Sequence, residues 1–329
     1  MRKSRERHLT CVFQVAWSPY ANFWVWLKPR GLDWLLTHAI PESMIKWQQF
    51  VANNLADRTK AQEDVQKGLR PERRDFFHYL FDTKDPETGK PGYDLNELFG
   101  ECEILTIAGS DTTAITMAAM TFYLSRNPRI QAKLANEILT TFHSSSEIAG
   151  GPKLHACKYM RAFIYETLRM APPVPADLPR EVRAGGSTVE GQFFPPRTLL
   201  STSLYCLGYN SEIYPDPFVF RPERWLTTAD DPEGSSEDEV ARAESGHCAF
   251  STGSRGCVGK NMAWLEMQIV LAKLVHALEI RPDPAGDCTG AGGPGLRLGR
   301  REPGQFQLYD AFVAMRDGPM VQFRERERV

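Results

Sequence analysis

From Asp94 to Ser125 the chain runs without a proline, and after Asp111 it carries no charge until Arg126. So long a run far exceeds an ordinary strand, and an uncharged second half is stable only where most of its faces are shielded from water. Asp94 and Glu97 stand at capping-box spacing, in which each satisfies a backbone N–H of the first turn. The pattern predicts a long, buried central helix reaching Ser125.

Asn127-Pro128 supplies a cap and first turn for a second helix, along which Ile130, Leu134, Ile138 and Phe142 recur every four residues. A third is expected from about His155 to Met170, where Pro172-Pro173 stops it, and a last one from about Gly259 to Ile280. Upstream, Met44, Trp47, Phe50, Val51 and Leu55 form a helical stripe after Pro41, and Arg74 to Phe81 reads as a short helix before the turn-rich segment 82–93. Between Pro175 and Leu207 the texture changes to β-like runs, Ser187 to Phe194 and Thr198 to Tyr205; short strands are expected around Phe306–Tyr309 and Val321–Phe323. Residues 226–246, acidic and rich in Ser, Gly and Pro, read as an exposed excursion. The fold class is mainly α with small β-sheets.

Composition excludes several functions. With 39 basic and 41 acidic residues, a net charge of −2, no global positive field exists to hold nucleic acid. The seven cysteines, Cys11, Cys102, Cys157, Cys206, Cys248, Cys257 and Cys288, are odd in number and lack CxxC spacing, against a disulfide framework or structural zinc. The uncharged stretch Leu9 to Leu27 is broken by Gln14, Ser18, Pro19 and Asn22, short of the about 20 apolar residues of a spanning helix. Trp17, Trp24, Trp26 and Trp34, with Tyr20 and Phe23, fit a buried core wall better than a membrane-interface patch.

The chemistry is concentrated in Phe250-Ser-Thr-Gly253-Ser-Arg255-Gly-Cys257-Val-Gly259, a loop directly before a helix. A thiolate at a helix start is favoured by unpaired N–H groups and the positive end of the dipole, and can bind a metal. Gly253 and Gly259 permit close backbone approach; Arg255 suits a ligand carboxylate. This F-x-x-G-x-R-x-C-x-G pattern resembles the haem-binding signature of the cytochrome P450 family at every fixed position. The resemblance implies Cys257 as the axial thiolate ligand of haem iron, Arg255 as a propionate partner and Phe250 as the aromatic beside the sulfur.

Three further stretches fit the same family in order. Glu166-Thr-Leu-Arg169 looks like its E-x-x-R, whose i,i+3 spacing puts both charges on one helix face. Pro222-Glu223-Arg224-Trp225 matches its P-E-R-[FW], implying a structural triad Glu166–Arg169–Arg224. Ala108-Gly109-Ser110-Asp111-Thr112-Thr113 resembles its A-G-x-D-T-T motif, in which Ala108 and Gly109 leave room for dioxygen while Asp111 and Thr112 pass protons to it through water; on the residues alone, Thr112 back-bonding to its own helix stays open. Arg180 matches the arginine that meets a second propionate. Gly208-Tyr209 depart from the family, many of whose members have a histidine–arginine pair there.

The resemblance covers about residues 20–329, the C-terminal two-thirds of the fold, and implies a single partial domain over 1–329 without the membrane anchor and early helices. It implies haem b as cofactor, NADPH acting through a cytochrome P450 reductase, and dioxygen and a small apolar or aromatic substrate, in secondary metabolism or xenobiotic oxidation. The location implied is the cytosolic face of the endoplasmic reticulum membrane, with peripheral contact through the Trp-rich segment as an open reading. Two alternatives stand beside a monooxygenase: a catalytically silent haem-binding remnant or interaction protein, and a thiol redox enzyme using Cys257 with Cys248 or His247.

Overall fold

The computed structural model describes residues 21–32, 34, 42–297 and 299–326. They divide into two compact units, one ending at Ser110 and the other beginning at Asp111.

In the first unit, helix α1 (Ala21–Leu27) precedes α2 (Glu42–Gln66) and α3 (Phe76–Asp82). The stripe of α2 is half right: Val51 and Leu55 are buried with Leu98 and Cys102, and Trp47 packs against them, whereas Phe50 is exposed. Asp75 caps α3 by accepting the His78 N–H and takes a two-pronged ion pair from Arg58. This Asp-led cap starts the helix at Phe76 rather than Arg74. The expected burial of the Trp-rich segment is corrected: Trp24, Trp26 and Trp34 are exposed, Trp34 by 68%. Trp17 and Tyr20 lie outside the described residues. Among those described, no helix is long and apolar enough to cross a membrane.

The central helix is α4 (Leu95–Arg126). Its box is formed at both ends, Glu97 accepting the Asp94 N–H at 2.8 Å and Asp94 accepting the Glu97 N–H at 2.9 Å.

In the second unit, α5 (Pro128–Thr141), α6 (Pro152–His155), α7 (Lys158–Met170), α8 (Leu204–Gly208), α9 (Glu237–Gly246) and α10 (Lys260–Ala277) follow. The uncharged end of α4 supplies the core with Phe122, Tyr123 and Leu124, fully buried against Leu134, Ile138, Phe163 and Leu271. The helix expected from His155 is two: Cys157 adopts extended backbone, and α7 begins at Lys158. Its first turn is capped from α5, Glu137 accepting the N–H groups of Tyr159 and Met160 at 2.8 Å each.

Among the described residues, four two-stranded antiparallel sheets accompany these helices: β1 (Arg180–Glu181) with β4 (Leu199–Leu200), β2 (Ser187–Val189) with β3 (Gln192–Phe194), β5 (Leu278–Pro282) with β8 (Val321–Glu325), and β6 (Leu308–Tyr309) with β7 (Met315–Arg316). The strand expected over Thr198–Tyr205 is therefore confined to two residues, because Ser203 caps the helical turn α8. Ile280 belongs to β5, not to the last helix; the Gln131 side chain pairs with its edge, donating to the Ile280 carbonyl at 2.8 Å and accepting its N–H at 2.7 Å. Segment 226–246 is largely exposed but anchored: Ser236 and Glu239 form a capping box, Ala243 is buried, and Lys133 bonds Asp231 and Glu233.

Candidate functional site

The cysteine loop is fixed through its backbone and open through its side chains. The Cys257 N–H donates to the Phe250 carbonyl at 2.8 Å, closing the loop, and the Ser251 N–H to that of Cys248 at 2.7 Å, closing a tight turn before it. Gly253 takes φ +70°, a left-handed value that costs glycine little. Gly259 caps α10, which begins three residues after the cysteine. The thiol of Cys257 is exposed, Val258 is 98% exposed, and the Arg255 guanidinium has no hydrogen bond or ion pair with any described residue. The Phe250 ring is half-buried against the main core, 6.4 Å from Trp264.

Behind the loop's sequence neighbours lies a saturated ion cluster. Glu166, 0% exposed, takes Arg169 in two bonds of 2.8 Å, the Arg224 Nε at 3.1 Å, the Arg221 N–H at 2.9 Å and the Trp225 Nε1–H at 2.9 Å. Burial alone would push its carboxyl up, but the Arg169 charge and hydrogen bonds, then Arg224, outweigh it and hold it at about 2 against an ordinary 4.5. Arg169 and Arg224 spend their remaining donors on the carbonyls of Gly208, Pro217, Pro215, Asp216 and Val219. The structure thus brings Glu166, Arg169 and Arg224 together and ties them to the chain between Gly208 and Trp225.

Ala108, Gly109, Asp111 and Thr112 lie in mid-α4. Asp111 and Thr112 are half-buried, and a Cβ added at Gly109 would meet nothing within 4 Å. The helix continues unbroken, with the Thr112 carbonyl accepting the Thr116 hydroxyl at 3.0 Å. Arg180 stands apart in β1, exposed, donating to its neighbours' carbonyls at Leu178 and Pro179.

Comparison with known proteins decides the family, since a model of the cytochrome P450 family matches residues 18–291. The chain belongs to the cytochrome P450 family. It is 38% identical over 250 residues to the cytochrome P450 monooxygenase atnE of Emericella nidulans, covering 76% of this chain and 45% of that protein. It is 36% identical over 296 residues to apf8 of Gibberella fujikuroi, covering 88% of this chain and 75% of that one, and 35% identical to AKT7 of Alternaria alternata, covering 95% and 57%. Both carry the same description. The chain thus spans about half the length of most of these relatives. A crystal structure of another cytochrome P450 superposes with a TM-score of 0.62 at 21% identity, over 84% of this chain and 56% of that one.

As a P450, the chain carries a donor set in its cysteine loop that suits haem: a presented thiol for the iron and a guanidinium, unpaired among the described residues, for a carboxylate. Sequence reasoning missed what fills the departure at Gly208-Tyr209. The Gly208 carbonyl accepts from Arg169, a Cβ there would collide with the Arg169 backbone, and the Tyr209 hydroxyl donates to the Met170 carbonyl at 2.9 Å. His247, offered by the sequence only as a partner for a redox thiol, has as its ring contacts Tyr165 at 4.9 Å and Trp225 at 5.4 Å, both edge-on. Its Nε2 is shut off from solvent and has no partner among the described residues. Burial, then the charge of Lys260, hold it down to about 4 from 6.5, so it is neutral at pH 7.

Proposed function

We propose that this P450 is a monooxygenase built on haem b, with Cys257 as the axial ligand. The presentation of the Cys257 thiol from a backbone-pinned loop, with Arg255 unpaired among the described residues two positions before it, is the observation that carries this reading. When bound, the haem supplies oxygen activation, with one atom of dioxygen entering a C–H bond and the other leaving as water.

The chain's own residues divide the work. Arg255, and Arg180 after releasing two exposed carbonyl bonds, hold the propionates. Phe250 fixes the cysteine through its carbonyl and packs its ring into the core. Glu166, Arg169 and Arg224 do no chemistry; they hold the segments around the loop in one arrangement. In α4, Ala108 and Gly109 keep the helix face low, so that dioxygen and a small apolar or aromatic substrate fit against it. Asp111 exchanges protons with solvent, and the Thr112 hydroxyl passes one onward through water. Electrons come from an NADPH-dependent flavoprotein reductase at the endoplasmic reticulum surface, the partner and location that the sequence motifs imply by resemblance to the family.

Oxygen consumption by the haem-loaded chain, with NADPH and a cytochrome P450 reductase, tests the proton path. Thr112→Ala should bind haem normally yet release severalfold more hydrogen peroxide per dioxygen consumed. Equal peroxide release in the two proteins would contradict the role given to Thr112.

A further inference from the structure

Next to the cysteine loop, aromatic side chains form a connected set. The Cys257 N–H is bonded to Phe250, the Phe250 ring lies 6.4 Å from Trp264, and Trp264 projects from the helix that starts just after the cysteine. Trp264 in turn lies 4.8 Å from Tyr165, and both are half-buried, so the pair runs from the loop to water. Trp225 stacks on Tyr165 at 5.2 Å, but its indole N–H is bonded to Glu166 inside a cluster holding two arginines and one carboxylate. That net positive charge disfavours removing an electron from Trp225. His247, edge-on to Tyr165, is neutral and adds no such charge. Of these three rings, Tyr165 and Trp264 are the two that make no hydrogen bond to that charged cluster.

We infer that Trp264 and Tyr165 form an electron relay that rescues the haem when it is oxidised without substrate. The inference rests on haem binding at Cys257. With hydrogen peroxide as oxidant, two electrons and two protons would convert the peroxide to two waters; the Trp264 indole would supply one electron and the bound haem the other. Tyr165 then returns an electron to Trp264 and loses its O–H proton to water, since its hydroxyl has no acceptor among the described residues. A dissolved reductant such as ascorbate refills Tyr165 at the surface, and a second electron from it, passed through Tyr165 and Trp264, would restore the one taken from the haem. The centroid separations are short enough for direct electron tunnelling, and the half-burial of both rings gives water access to the released proton.

The experiment mixes the haem-loaded chain, its thiolate–carbon monoxide band first verified, with hydrogen peroxide and no substrate. Freeze-quenched electron paramagnetic resonance is recorded on protein carrying ring-deuterated tyrosine or tryptophan, and loss of the Soret band is timed. The wild type should give a phenoxyl signal that narrows with deuterated tyrosine. Tyr165→Phe should replace it by an indole signal that narrows with deuterated tryptophan. Trp264→Phe should lose both signals and bleach severalfold faster, while keeping the carbon monoxide band. A phenoxyl signal unchanged in Trp264→Phe, or no aromatic radical in the wild type, would overturn the relay while leaving haem binding intact. Failure to form the carbon monoxide band would overturn the haem reading itself, and the relay with it.

Discussion

Around Glu166 both carboxylate oxygens are engaged and no atom of the residue meets water. Around Cys257 the opposite holds: backbone bonds fix the loop, while Arg255, Cys257 and Val258 face outward. The two regions share the second unit and differ in what they are for. A buried, saturated ion cluster holds the chain in one arrangement, because losing any partner strands a charge out of water. An exposed thiol on a rigid loop stabilises nothing internally, and its value lies in what it binds.

The contrast is broken most severely by Glu166→Ala, which leaves two guanidiniums facing each other without their carboxylate. A loss of about 3–5 kcal/mol is expected in urea unfolding at pH 7, and an unchanged midpoint would show that the cluster is not scaffolding. Acid separates the groups next. Glu166 is held below its ordinary range, so its contribution is complete above pH 4.5 and is lost as pH falls toward about 2. His247 is a base held below its ordinary value, so the unfolded chain takes up its proton more readily, and stability is lost as pH falls from 6.5 toward about 4. In urea midpoints measured against pH, His247→Phe should flatten the upper fall and leave the lower one; an unaltered upper fall would contradict the burial of this imidazole.

Smaller effects sharpen the comparison. Tyr209→Phe removes one hydrogen bond behind Arg169 and should cost about 1 kcal/mol, read in the same unfolding experiment. Cys257→Ser should change the stability of the haem-free chain by no more than about 0.5 kcal/mol, as for an exposed position with no internal partner. A larger loss would mean that the thiol has an internal structural role.

The legible parts of this fold are those whose physics is local. The Asp94–Glu97 box, the apolar repeat of α5 and the Glu166–Arg169 spacing each act within one or two helical turns, so the chain order displays them. The illegible parts depend on partners far along the sequence. Glu137 starts α7 from another helix, Gln131 imitates a strand edge for Ile280, and Arg169 demands a glycine at 208; in each case the signal is split between distant residues. The Trp-rich segment misled for a related reason, because ring density does not reveal what the rings pack against. At the site, residue types announced the Cys257 loop, whereas His247 gave only the weak signal of a histidine shortly before that loop.

The central claim is that Cys257 is the axial ligand of a haem, and the reduced carbon monoxide difference spectrum of the purified, haem-supplemented chain tests it most directly. The wild type should show the thiolate band near the position that gives the family its name, and Cys257→Ala should lose it. A wild-type chain that takes up no haem, or a variant that keeps the band, would contradict the account.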